Sequence, residues 1–213
     1  MLWVYRSVMP GRISAVLAIA IMACACGPAL NSVYLMPSSH PLVKAGNDSL
    51  EYRDEVLSLR LSAVKGAEKQ DIGRILGYGD IQSFMTDFHI IKLSATRLGD
   101  NEVSINFDNI MLVLNPYNRK QPLNYFDLYL IAEKDNNHEL RAFIREYVKK
   151  GRTGITKETP VEAYLIFGKI SPQEQHALLT FYDIYHSASS FKVEIPFSIN
   201  LSRDPEIKEK LGF

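Results

Sequence analysis

Cysteine is nearly absent from this chain. Its only two, Cys24 and Cys26, lie within the first 26 of 213 residues, so the remaining chain contains no internal disulfide. There is no excess of either charge: 24 basic side chains balance 24 acidic ones. That excludes the strong positive field of a nucleic-acid binder. Long apolar runs are also missing. The longest apolar or small run, Ile13 to Ala23, has 11 residues, against the roughly 20 that a membrane-spanning helix needs. No GxSxG, HExxH, Walker A, GxGxxG or CxxC pattern occurs, so no familiar hydrolase, nucleotide or metal chemistry is announced. Gly77-Tyr78-Gly79 lacks a third glycine and a preceding strand and reads as a turn. The expectation is a non-enzyme with no cofactor and no metal site.

What is present at the start is an address. Arg6 and Arg12 form a basic segment without acids, the apolar run follows, and small residues close it, as in an export signal. Ile21-Met22-Ala23-Cys24 resembles the lipobox of bacterial lipoproteins. The resemblance implies lipidation at Cys24, with Cys26 as the alternative. Ala25 after Cys24 resembles the pattern that directs such lipoproteins to the outer membrane, facing the periplasm or the cell exterior. The expected partners are therefore membrane lipid through the anchor, and an envelope protein, with no nucleic acid. The expected division is a signal over 1–23, a lipidated N-terminus and linker over 24–49, and a β-domain over 50–213. Removing 1–23 takes away two arginines and no acid, which leaves a formal charge of −2. The stretch after Gly27 holds Pro28, Pro37 and Pro41, as a linker should. Within it, Ser32 to Met36 reads as a short first strand.

Beyond Leu50, period-two alternation dominates and predicts half-buried strands. Leu57, Leu59 and Leu61 form one apolar row, and Val103, Ile105 and Phe107 another. The apolar phase slips by one beside Asp108-Asn109, to Ile110, Leu112 and Leu114, which predicts a bulge or kink. Further rows are Phe126, Leu128 and Leu130, then Val161 to Phe167, Leu178 to Tyr182, and Phe191 to Leu201. Pro196 in the last of these cannot donate to a ladder and predicts a local sheet edge. One segment has helical spacing: Leu140, Phe143, Ile144, Tyr147 and Val148 make a stripe within 137–150, preceded by an Asn136/Glu139 capping box. Ile72, Ile75 and Leu76 suit a helical turn or two, and a final short helix is expected from Asp204-Pro205. The sum is a mainly β chain: an antiparallel immunoglobulin-like β-sandwich of about seven strands with one inserted amphipathic helix. Charges on the strand faces, among them Arg60, Asp127, Glu162 and Lys192, exclude an outer-membrane barrel.

Ile110 to Leu130 reads as a strand, then Asn115-Pro116, Asn118 and Pro122-Leu123, then an alternating strand. In this it resembles a WHy-type domain of the late-embryogenesis-abundant-like group. The resemblance implies an immunoglobulin-like fold without catalysis, and no functional residues.

Three functions compete. The first is a lipid-anchored, non-catalytic interaction or assembly module whose binding residues are unknown. The second is a carrier of a small apolar or lipid ligand, covered by the stripe helix. The third is an envelope hydrolase using His176, Asp183 and His186. Two further groups are candidates for contact: the basic Lys149, Lys150, Arg152 and Lys157, and the tyrosines 117, 125, 129, 182 and 185. The stripe helix is expected to dock on the domain rather than wait exposed for a partner.

Overall fold

The computed structural model describes residues 31–37, 43–45, 49–171, 174 and 176–203. Two antiparallel sheets and a layer of helices make up the fold. The five-stranded sheet runs in the order β10 (Val161–Phe167), β5 (His89–Arg97), β4 (Leu57–Ala63), β3 (Ser49–Arg53) and β2 (Val43–Ala45). The second sheet is built around β11 (His176–His186). On one side of β11 lies β12 (Ser189–Arg203) and then β1 (Asn31–Pro37). On the other side, β6 (Val103–Asn106) pairs with residues 184–186 of β11 and β7 (Ile110–Asn115) with residues 178–181. β9 (Arg152–Ile155) extends the sheet from β6, and β8 (Asn118–Lys120) extends it from β7.

The predicted phase slip has a physical form. Between β6 and β7 the chain makes a 3-10 turn over Phe107–Asn109, and β11 shifts register between Phe181 and Ile184. Asn109 donates to the Asp183 carboxylate across this break. Both halves therefore keep their apolar rows inward. Ile105, Ile110, Leu112, Leu179, Phe181 and Ile184 are all buried between the sheets, facing Leu59, Leu61, Leu93 and Leu165. Among the described residues, β12 at Pro196 has only β11 beside it, because β1 ends with Pro37 opposite Phe197. The edge expected from that proline lies where β1 stops.

The expectation of about seven strands and one helix is corrected. Among the described residues there are twelve strands and four α-helices. The helices are α1 (Gly66–Ile75), α2 (Ile81–Asp87), α3 (Tyr125–Lys134) and α4 (His138–Tyr147). They bury a second apolar cluster against the outer side of the five-stranded sheet, where Ile90 and Ile166 meet Ile72, Phe84, Leu128, Leu140 and Ile144. This cover explains β5, whose adjacent Ile90 and Ile91 hide its alternation in the sequence. Ile90 faces the helices while Ile91 belongs to the inter-sheet core. α1 and α2 meet at Gly73, where a Cβ would come within 2.6 Å of the fully buried Phe84 ring.

Phe126, Leu128 and Leu130 do not form a strand. They lie on α3, which starts where the Asn124 side chain accepts from the Asp127 amide at 2.8 Å. Only Leu128 and Ala132 of this helix are buried. The pair is spaced by four, which serves a helix and a strand alike in so short a run. The stripe helix is present as expected, one residue out of register at its cap. Asn137, not Asn136, accepts from the Leu140 amide at 2.9 Å. Asn136 takes a left-handed φ of 49° in the tight connection from α3, a conformation asparagine tolerates. The expected linker over 24–49 includes β1, β2 and the start of β3, and β1 follows the short strand expected at Ser32 to Met36. The helix expected from Asp204 lies outside the described residues, as do Cys24 and Cys26.

Candidate interaction surface

α3 and α4 are consecutive helices of one layer, yet they present opposite faces. In α4 the stripe docks as expected. Leu140 and Ile144 are fully buried and Phe143 retains 7% exposure. The ring of Phe143 stacks on Tyr164 with centroids 5.6 Å apart, and Tyr147 meets Tyr164 edge-on at 5.1 Å. Burial, together with a 2.6 Å hydrogen bond to Glu68, raises the pKa of the Tyr164 hydroxyl. The side chain of Asn137 also donates to the Ile75 carbonyl at 3.2 Å, which fastens the start of α4 to the end of α1.

α3 turns apolar side chains outward. Phe126 is 62% exposed and Leu130 67%, with Tyr129 and Ile131 also exposed. Phe126, Tyr129 and Leu130 stand at i, i+3 and i+4, so they share one face. Tyr125 and Tyr129 stack with centroids 5.9 Å apart. The Lys150 ammonium lies 4.6 Å from the Tyr125 centroid and 5.2 Å from that of Phe126. This face is therefore aromatic and aliphatic, with a cation at its edge, a composition enriched at protein contact surfaces. Beside it a cleft of about 360 Å3 is lined by Phe107, Asp108, Leu123, Phe126, Asp127 and Lys149, among others.

The other predicted groups are dispersed. Lys149 donates to the Glu146 carbonyl, Lys157 pairs with Asp100, and Arg152 binds Ser104 across the other sheet. Lys149 lines the cleft beside Lys150, whereas Arg152 and Lys157 are held by partners on other elements. Tyr117 sits at a β-turn, 99% exposed, while Tyr182 and Tyr185 are half-buried on β11. His176, Asp183 and His186 are not brought together. They lie along a single strand, and seven residues of strand place His176 roughly 20 Å from Asp183. Proton transfer needs contacts of about 3 Å. Asp183 instead accepts from Asn109.

The sequence reading passed over His89. It is buried at the start of β5, its Nε2 has no hydrogen-bond partner among the described residues, and its pKa falls to about 4. Desolvation is the main cause, with the Lys69 charge adding to it. Among the described residues no group of three or more His, Cys, Asp or Glu side chains is placed to hold a metal. Nor is any described helix long and apolar enough to cross a membrane. Neither a protein-family model nor a curated protein matches the chain.

Proposed function

We propose that the protein is a lipid-anchored, non-catalytic module of a cell envelope that binds a protein partner through the outward face of α3. The observation that carries the binding half is the exposure of Phe126, Tyr129, Leu130 and Ile131 on a helix whose neighbour buries its own stripe. Leaving such side chains in water forgoes about 1.5–3 kcal/mol for each large one, which contact with a partner recovers. The anchor half rests on the lipobox resemblance at Cys24. The finer reading, an immunoglobulin-like WHy-type sandwich, keeps the strand Ile110–Asn115 and its turn in support, while its second strand is α3.

Two experiments test the two halves. Phe126→Ser combined with Leu130→Ser should abolish co-purification of a partner from detergent-solubilised native membranes while leaving the melting temperature unchanged. Undiminished co-purification contradicts the surface. Cys24→Ala with Cys26→Ala should release the protein from the membrane fraction, and retention of the processed chain there contradicts the anchor.

Carriage of a small apolar ligand has the 360 Å3 cleft in its favour, a volume within the range of ligand sites. Its lining includes Asp108, Asn124, Asp127 and Lys149, and the core under Phe143 is filled by Tyr164. Saturable binding of a fluorescent fatty acid, lost in Leu123→Trp, would favour the carrier over the contact surface.

A further inference from the structure

A second cleft, of about 510 Å3, lies where β9 meets the end of β5, and its lining carries two arginines. Register builds its floor. Ser104 of β6 stands opposite Gly154 of β9 on one side and Tyr185 of β11 on the other. Arg152 is two residues from Gly154 and so shares its face of the sheet. Its guanidinium lies 4.1 Å from the Tyr185 centroid, and its Nε donates to Ser104 Oγ at 2.6 Å. Stacking and this bond fix the orientation of the side chain, and among the described residues neither Nη group has a hydrogen-bond or ion-pair partner. Apart from its chain neighbours, no atom of a described residue lies within 4 Å of where a Cβ on Gly154 would stand, so the floor is open.

Arg97 comes from the other sheet. Its backbone amide donates to the Thr156 carbonyl at 3.1 Å, which holds the end of β5 against the end of β9. Its guanidinium makes no hydrogen bond or ion pair with a described residue, and its Nε is buried without a partner. Asp100 feels the Arg97 charge but is itself paired with Lys157 in full solvent. Glu102 also lines the cleft, and it too forms no ion pair within 4.0 Å among the described residues.

Two guanidinium groups that form no ion pair with a described residue, one of them pre-oriented, thus line a cleft of monosaccharide size. A guanidinium presents a planar fork that matches the two oxygens of a carboxylate or phosphate. Ser104, which accepts from Arg152, keeps its hydroxyl proton to donate. Glu102 is a ready acceptor for a ligand hydroxyl. We propose that this cleft binds a small hydroxylated oxyanion, a sugar acid or a sugar phosphate, with Arg97 and Arg152 on the anionic group and Glu102 on a hydroxyl. The site lies on different elements from the α3 face, and its failure leaves that reading untouched.

The test titrates the full chain with D-glucuronate, glucose 6-phosphate and neutral glucose, followed by calorimetry. At least one of the two anions should bind saturably, with glucose about tenfold weaker or worse. Which anion binds separates a carboxylate from a phosphate ligand. Arg152→Gln and Arg97→Gln should each weaken binding about tenfold or more, while Lys192→Gln, on the outside of β12, should change nothing. Arg152→Lys keeps the charge but loses the fork and should bind less tightly than the parent. Arg152 is exposed, so Arg152→Gln decides the matter even if the Arg97 variant does not fold. Absence of saturable binding by both anions overturns the proposal. So does equal binding of glucose, or parental affinity in Arg152→Gln.

Discussion

α3 and α4 have the same length, are both capped by asparagine, and are separated by three residues, yet one is anchored and the other only perched. α4 places Leu140, Phe143 and Ile144 on one side and charges on the other, so docking satisfies it completely. α3 has apolar side chains nearly all round and buries only Leu128 and Ala132. A helix of that kind is either interior or awaiting a contact. The difference shows that burial in this layer follows the angular placement of apolar residues rather than their number. The helix with the more apolar sequence is the more exposed one.

The largest effect that would break this comparison is at Phe143. Phe143→Ala should cost about 3–5 kcal/mol, because the ring fills space against Tyr147 and Tyr164. Denaturant unfolding of the full chain measures it, and a loss below that of Phe126→Ala would invert the assignment of anchored and perched helices.

Acid is the next largest lever. His89 is neutral in the folded state with a pKa lowered to about 4 from the ordinary 6.5. The unfolded chain therefore binds the proton more readily, so stability is complete above about pH 6.5 and is lost as the pH falls toward 4. The loss is about 3 kcal/mol. His89→Phe should flatten that slope in melts taken across this window. If both helices rest on the same sheet, the Phe143/Phe126 contrast should shrink at pH 4 along with the stability of the sheet.

A smaller contrast lies in the caps. Asn137→Ala removes a cap and the bond to Ile75, and should cost about 1–2 kcal/mol. Asn124→Ala removes a cap from a helix with little to lose, and should cost about 0.5–1 kcal/mol. Equal costs would show that the link between α4 and α1 contributes nothing.

Most strands were legible because one face is more buried than the other, so alternation survives in Leu57–Ala63, Ile110–Asn115 and residues 191–196. The slip beside Asp108-Asn109 was legible for the same reason. β5 was not, because at its start the helix layer and the second sheet bury both of its faces. α3 escaped because Phe126, Leu128 and Leu130 also fit a period of two, and no buried stripe contradicts that reading. Its asparagine cap was the available signal: Asn124 with Asp127 three residues on, after Pro122. The arginine cleft was illegible in principle. Arg97 and Arg152 are 55 positions apart, and only the meeting of β5 with β9 brings them to one cavity. The hydrolase residues failed for the opposite reason, since nearness along a strand is distance in space.

The smallest effect on stability belongs to the outward face of α3, where Phe126→Ala should stay within about 0.5 kcal/mol of the parent. That face is also where the account is most exposed to test. A photo-crosslinking amino acid placed at position 130, and at position 192 as a control on the far sheet, would be irradiated in native membranes. The account predicts a discrete protein adduct from position 130 and none from 192. Equal labelling at the two positions, or no adduct at 130, would contradict it.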